Sequence, residues 1–221
     1  MRVSKKPEER RNEILDAAEV LFSTKGYSKT TINDILDEVN IAKGTLYYYF
    51  KSKEEVMDAI VTRLIDMGVE AAKVIASDPN LKATEKMFQI IMAQNPDSTR
   101  KDQMIEQLHL ANNAEMHQKS LVETVLRLTP VLTDVVEQGI QEGTFNTPYP
   151  KEAIEFLLVS SQFLLDARIF HWQQHEVMQK AIAFTSIIET TLGAEKGSFS
   201  YISQVYEKIL EELNSETCPV D

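Results

Sequence analysis

Thr45-Leu46-Tyr47-Tyr48-Tyr49-Phe50, followed by Lys51-Ser52-Lys53, sets hydroxyls and ammoniums side by side in a segment of helix length. Tyr and Thr hydroxyls and Lys ammoniums all donate to phosphate oxygens, so this surface suits a phosphate-bearing partner. Leu46 and Phe50, four apart, can share one inward face. Three consecutive tyrosines then fan around the helix, and at least one phenol must point to solvent or to a partner.

The elements that would position this run form a helix-turn-helix layout. A first helix is expected over about Pro7 to Lys25, with Pro7 in its first turn and Glu8 and Glu9 at its positive end. Its Ile14, Leu15, Ala18, Leu21 and Phe22 make one buried stripe, and Gly26 is its stop signal. Thr31 can cap a second helix carrying Ile32, Ile35, Leu36 and Val39, with Asp34 in the capping-box position. Asn40 tolerates the left-handed backbone of a tight turn. Ala42-Lys43-Gly44-Thr45 then opens the aromatic helix. Two short helices joined by such a turn place the second in the major groove of DNA.

The net charge of −11 argues against nucleic acid until its distribution is read. Residues 1–53 hold ten Lys/Arg against eight Asp/Glu, whereas the remainder holds 13 against 26. An acidic body with a mildly basic tip is repelled by DNA everywhere except at that tip. The single Cys218 leaves no intrachain disulfide and is consistent with a reducing cytoplasm. The basic start Met1–Lys6 leads into a charged helix rather than a signal-peptide core, and no apolar run approaches the ~18 residues of a membrane span. The chain is expected to be cytoplasmic, with no membrane association. Length and 43% hydrophobic content allow a sizeable core, and helical periodicities dominate: the fold class is all-α.

In the body, helices are expected at about Lys53–Ala76, 81–94, 99–113 and 115–142, the last kinked at Pro130. After a break at Gly143–Pro148 come helices over Pro150–Gln173 and His175–Leu192, and a final one near Tyr201–Asn214. His171 and His175 stand at i, i+4, a spacing that can share a metal, but a helix boundary between them and the lack of further ligands make them surface or interface histidines. No metal or cofactor is expected. His109 and His117, with Met104, Met116, Phe163 and Trp172, are candidates to line a ligand pocket, and core packing explains the methionines and aromatics equally well. No phosphate loop, catalytic triad or paired-carboxylate signature stands out.

Ile14-Leu15-Asp16-Ala17-Ala18, Leu21-Phe22, Lys25-Gly26-Tyr27, Thr30-Thr31-Ile32, Lys43 through Phe50 and Lys53-Glu54-Glu55-Val56 together resemble the N-terminal domain of the TetR family. The match covers roughly residues 8–60. The resemblance implies a three-helix helix-turn-helix DNA-binding domain over 1–53 and a larger helical ligand-binding and dimerisation domain over 54–214, with a tail at 215–221. It implies a homodimeric transcription regulator, most often a repressor, that leaves a palindromic operator when an unknown small-molecule effector binds. Carried over, Thr31 caps the second helix and touches a phosphate, Asn33 reaches a base edge, and Lys53 holds the phosphate backbone. Lys43, Gly44, Thr45, Tyr47, Tyr48 and Tyr49 form the groove-facing surface, with Lys43 the base reader. Asn40 departs from a usual glycine. Asp34, Asp37 and Glu38 put an acidic run on the second helix that must point away from phosphate.

Two stripes after Pro150 are candidates for the dimer face: Ala153, Phe156, Leu157, Ser160 and Leu164, then Ala181, Phe184, Ile188 and Thr191. They suit a twofold four-helix bundle, and they suit a monomer core too; the family's use of this position favours the interface. The rival functions are a regulator controlled by a partner protein or by no ligand, and, more remotely, an all-α metal protein or enzyme.

Overall fold

The computed structural model describes residues 6–94, 114–165 and 167–207, and all regular structure among them is helical. The helices are α1 (Pro7–Thr24), α2 (Ile32–Val39), α3 (Lys43–Tyr49), α4 (Lys53–Ala76), α5 (Ala83–Gln94), α6 (Ala114–Glu142), α7 (Pro150–Leu164), α8 (Ala167–Phe170) and α9 (Gln174–Leu192). A further helix, α10, covers residues 200–207 of the described range. The helix expected at 99–113, Cys218 and the tail lie outside the described residues.

Contacts divide the chain into two compact units, with boundaries inside α4 at Gly68/Val69 and inside α6 at Val122/Glu123. The first unit contains the head, whose core is one cluster: Ile14, Leu15, Ala18 and Phe22 of α1, Ile35 and Leu36 of α2, Leu46 of α3, Phe50, and Val56, Met57 and Ile60 of α4. Burial of this apolar surface, at about 25 cal/mol per Å², is what fixes the short helices α2 and α3, which would not persist alone.

Local chemistry sets the joints of the head. Lys25 closes α1, and Gly26 follows with φ 89°. Thr30, 1% exposed, donates its hydroxyl to the carbonyls of Gly26 (2.8 Å) and Leu21 (3.2 Å), which locks the α1–α2 turn. Thr31 caps α2 as expected: its Oγ1 accepts from the Asp34 N–H, while Asp34 accepts from the Thr31 N–H at 2.7 Å. Asn40 ends α2 in the left-handed region, φ 53° and ψ 53°, as its short polar side chain permits.

The second unit builds its own core from Met87 and Ile90 of α5, Leu128, Leu132, Val135 and Val136 of α6, Ile154 and Leu157 of α7, and Val177, Ala181, Ile188 and Leu192 of α9. α6 runs unbroken through Pro130, which lies on its exposed side. Lys86, 4% exposed, caps the C-terminal end of α4 by donating to the Ala76 carbonyl (2.6 Å) and also donates to Gln138 Oε1 (2.7 Å). Gly193 closes α9 at φ 60°, where a Cβ would lie 2.2 Å from the Asn146 carbonyl oxygen, so no other residue fits there.

One expected element is corrected. The helix beginning at Pro150 stops at Leu164 and does not reach Gln173. Trp172 donates its indole N–H to the Leu164 carbonyl at 3.1 Å, which satisfies one of the terminal acceptors. His171 takes φ 55° and turns the chain, and Gln173 starts α9 with its N–H given to Glu176 at 2.8 Å. His171 and His175 therefore do not share a helix, and both are exposed. Among the described residues no three His, Cys, Asp or Glu side chains are grouped to hold a metal, and no helix is long and apolar enough to cross a membrane.

Candidate nucleic-acid interface

α3 is anchored through one side and open on the other. Leu46 is fully buried and Phe50 is 2% exposed, whereas Tyr48 is 78% and Tyr47 43% exposed. Lys43 and Gly44 are exposed, and Thr45 is half-buried. The Lys43 ammonium stands 5.7 Å from the centre of the Tyr47 ring, and Tyr48 and Tyr49 meet edge to face at 4.9 Å. The three phenols thus part company: Tyr49 packs against the head core, and Tyr47 and Tyr48 remain for a partner.

Gly44 has no intramolecular reason to be glycine. Its φ is not positive, and a Cβ built there meets nothing within 4 Å. Glycine inside a helix costs up to about 1 kcal/mol relative to alanine. A partner's surface lying against the start of α3 gives that cost a purpose.

The flanking residues fall into place differently. Thr31 and Asn33 are both exposed on the first turn of α2, but the Thr31 hydroxyl also donates to Asp34 at 2.8 Å. Asp34 itself is bound to the Lys25 ammonium at 2.7 Å. That ammonium first, then the hydrogen bonds from Thr31, lowers its pKa from the ordinary 3.8 to about 2. The charge of Asp34 is thus compensated inside the head, and only Asp37 and Glu38 of the acidic run face solvent. Lys53 is half-buried: its ammonium donates to the carbonyls of Tyr27 (2.8 Å) and Thr30 (2.9 Å) and sits 4.3 Å from the Tyr27 ring centre. With two of three donors committed, Lys53 is first a staple of the α1–α2 turn.

The expected dimer stripes divide. Ala153, Leu157, Ala181 and Ile188 are buried within the single chain, Ser160, Phe184 and Thr191 are half-buried, and Phe156 (75%) and Leu164 (47%) are exposed. Val159 and Phe163 are exposed as well, so the open face of α7 runs Phe156, Val159, Phe163. Periodicity missed this assignment because α7 is apolar on both sides; only the bulk of Phe156 and Phe163 hints at it.

Of the candidate pocket residues, Met104, His109 and the side chain of Met116 lie outside the described set. His117 belongs to the first unit, and Phe163 and Trp172 to the second. Phe163 and Trp172 are joined through Phe170, which meets Phe163 edge to face at 5.2 Å and stacks on Trp172 at 5.0 Å. The Lys180 ammonium stands 3.7 Å from the centre of the Trp172 ring.

Residues 14–60 match the family model of bacterial regulatory proteins, tetR family, and residues 97–187 match a tetracyclin repressor-like C-terminal domain. The chain is 31% identical over 153 residues to the HTH-type transcriptional repressor KstR2 of Rhodococcus jostii, spanning 67% of this chain and 74% of that one. It is 29% identical over 178 residues to the HTH-type transcriptional regulator YhgD of Bacillus subtilis, spanning 78% and 89%. Among solved structures, SmeT, the repressor of the Stenotrophomonas maltophilia multidrug efflux pump SmeDEF, superposes with a TM-score of 0.59 at 22% identity, covering 85% of this chain and 92% of that one.

Proposed function

Starting from the fact that this chain belongs to the TetR family of bacterial transcriptional regulators, which are not enzymes, we propose that it acts as a repressor. In this reading it binds a near-palindromic operator as a homodimer and releases it when a small molecule binds the second unit. The observation that carries the reading is α3: two exposed tyrosines, an exposed lysine and a glycine without internal purpose on a helix bolted down by Leu46 and Phe50. Two such helices in successive major grooves require half-sites about one helical turn, ~34–36 Å, apart. Lys43 donates to guanine O6 and N7; Tyr47 and Tyr48 grip phosphates or cover thymine methyls; Thr31 and Asn33 stand on the flanking turn of α2, and the remaining proton of Lys53 reaches the phosphate backbone.

The homodimer is supported by the open face of α7. Three large apolar side chains at i, i+3 and i+7 are more than 40% exposed, with Ile187 exposed on α9 and a shallow groove of about 320 Å³ beside Pro148, Tyr149, Phe156 and Thr191. An apolar patch of this kind on one protein marks a contact surface, and a twofold axis pairs it with itself.

Selection of duplexes from a random-sequence pool tests the reading. The expected yield is a near-palindrome; a pool that shows no enriched sequence contradicts it. In the same assay Lys43→Ala is expected to change which base pair is preferred, with a discrimination loss of about 1–3 kcal/mol at that position. Tyr48→Phe is expected to weaken all sequences alike. Gly44→Ala has opposite signs in two measurements: thermal unfolding of the head shifts up by at most about 1 kcal/mol in stability, while duplex affinity falls. A Gly44→Ala variant that binds as tightly as the parent removes the close-approach argument.

A further inference from the structure

We propose that Arg11 of α1 is a phosphate clamp at the far end of the reading helix, its guanidinium held there by the ring of Phe50. The inference rests on the DNA-binding reading above and adds to it a contact that α2 and α3 do not supply. Phe50 is the residue directly after α3, and the Arg11 guanidinium lies 5.3 Å from the centre of its buried ring. Arg11 is exposed, and among the described residues its side chain makes no ion pair and no hydrogen bond. Other cations of the first unit are committed. Arg10 is bound to Glu13 at 2.6 Å, Lys25 to Asp34 at 2.7 Å, and Arg63 to Asp16 and Glu19 at 2.6 Å each. Two adjacent arginines of one helix thus differ: Arg10 is paired, while Arg11 has an aromatic seat and its five N–H donors to offer.

The ends of α3 explain what those donors are for. The helix has 7 residues, about 10 Å of length, and a major groove is ~12 Å wide with a phosphate strand on either side. Lys43 stands at its first residue, but its last turn holds no basic residue. The C-terminal end of a helix carries partial negative charge, which repels phosphate. A guanidinium seated on the residue that ends the helix reverses the sign where the second strand passes. Arginine suits the place, because its plane packs on an aromatic ring while its fork matches two phosphate oxygens. The seat also limits rotamer freedom beforehand, so less is lost when a phosphate arrives. A purely structural role explains Arg11 less well. Phe50 is already buried in a cluster with Leu46, Met57 and Ile60, and an exposed cation over a ring adds little to that.

The experiment compares Arg11→Gln, Arg11→Lys and Lys196→Gln with the parent in the full-length chain. Affinity is read by fluorescence anisotropy over a range of salt, on the duplex that the parent selects and on a scrambled one, with thermal unfolding in parallel. Lys196 is exposed and belongs to the second unit, so Lys196→Gln reports the loss of one charge alone. Arg11→Gln is expected to weaken both duplexes by the same factor, roughly 10-fold or more. Its plot of log affinity against log salt flattens by about 0.9 per head, and base preference stays as in the parent. Arg11→Lys keeps most of the salt slope, and Lys196→Gln keeps all of it. A parental slope in Arg11→Gln overturns the proposal, and so does a Lys196→Gln chain that matches Arg11→Gln. A lowered melting temperature in both Arg11 variants, with Arg11→Lys binding as weakly as Arg11→Gln, overturns it as well, because the residue is then structural alone. Unchanged binding in Arg11→Gln strikes the clamp and leaves the DNA-binding reading standing; a parent chain that selects no duplex removes that reading, and the clamp falls with it.

Discussion

Phe50→Ala is expected to abolish duplex binding by unfolding the reading head. Phe50 is 2% exposed, shares a core with Leu46, Met57 and Ile60, and carries the Arg11 guanidinium 5.3 Å from its ring centre. Truncating a buried phenylalanine costs about 3–5 kcal/mol, while a whole domain is stable by only about 5–15 kcal/mol. The helices that depend on this contact are eight and seven residues long, too short to hold without it. Amide hydrogen exchange of α2 and α3 is expected to lose most of its protection. Tyr48→Ala, at a 78% exposed neighbour, is the control: it forfeits only the edge-to-face contact with Tyr49, about 0.5–1.5 kcal/mol, and leaves the head folded. Retained protection in Phe50→Ala would show that the head is held by something other than this cluster.

Phe156→Glu is the second large effect, and it acts on assembly. Phe156 is 75% exposed, so the single chain tolerates the change within about 0.5 kcal/mol. In a twofold interface the same substitution sets two carboxylates face to face in apolar surroundings, where an unpaired charge costs several kcal/mol. Sedimentation is expected to show a folded monomer in place of a dimer. Operator affinity falls with it by about 10²–10⁴, since two linked heads gain that much from effective concentration. A Phe156→Glu chain that sediments as the parent does would place the dimer contact elsewhere.

The head was legible in the sequence because each of its parts has a local cause. Thr31 and Asp34 form a cap over three residues, Asn40 supplies a left-handed turn, and Leu46 with Phe50 is an i, i+4 pair; all three features appear as read. Lys53 shows where local reasoning stops. Its partners are carbonyls of Tyr27 and Thr30, more than twenty residues away, and a backbone acceptor leaves no mark on residue type. Ion pairs between helices were invisible for the same reason: 61 residues separate Lys119 from Asp58 and 44 separate Glu19 from Arg63. In the body, the early end of α7 depends on a Trp172 hydrogen bond and on a left-handed His171, a conformation that few non-glycine residues adopt and that no periodicity marks. The expected dimer stripes mixed buried Ala153 and Leu157 with exposed Phe156, because α7 carries apolar residues on its open side as well as its buried one and leaves periodicity no single face to find.

The central claim is that α3 is a DNA-reading helix presented in pairs. Its most direct test is the salt dependence of affinity for the selected duplex, measured by fluorescence anisotropy beside a scrambled duplex of equal length. The predicted result is a steep fall of log affinity with log salt, about 0.9 per phosphate neutralised, and preference for the selected duplex by a factor on the order of 10³ or more. Equal affinity for the two duplexes, or binding indifferent to salt, would contradict it.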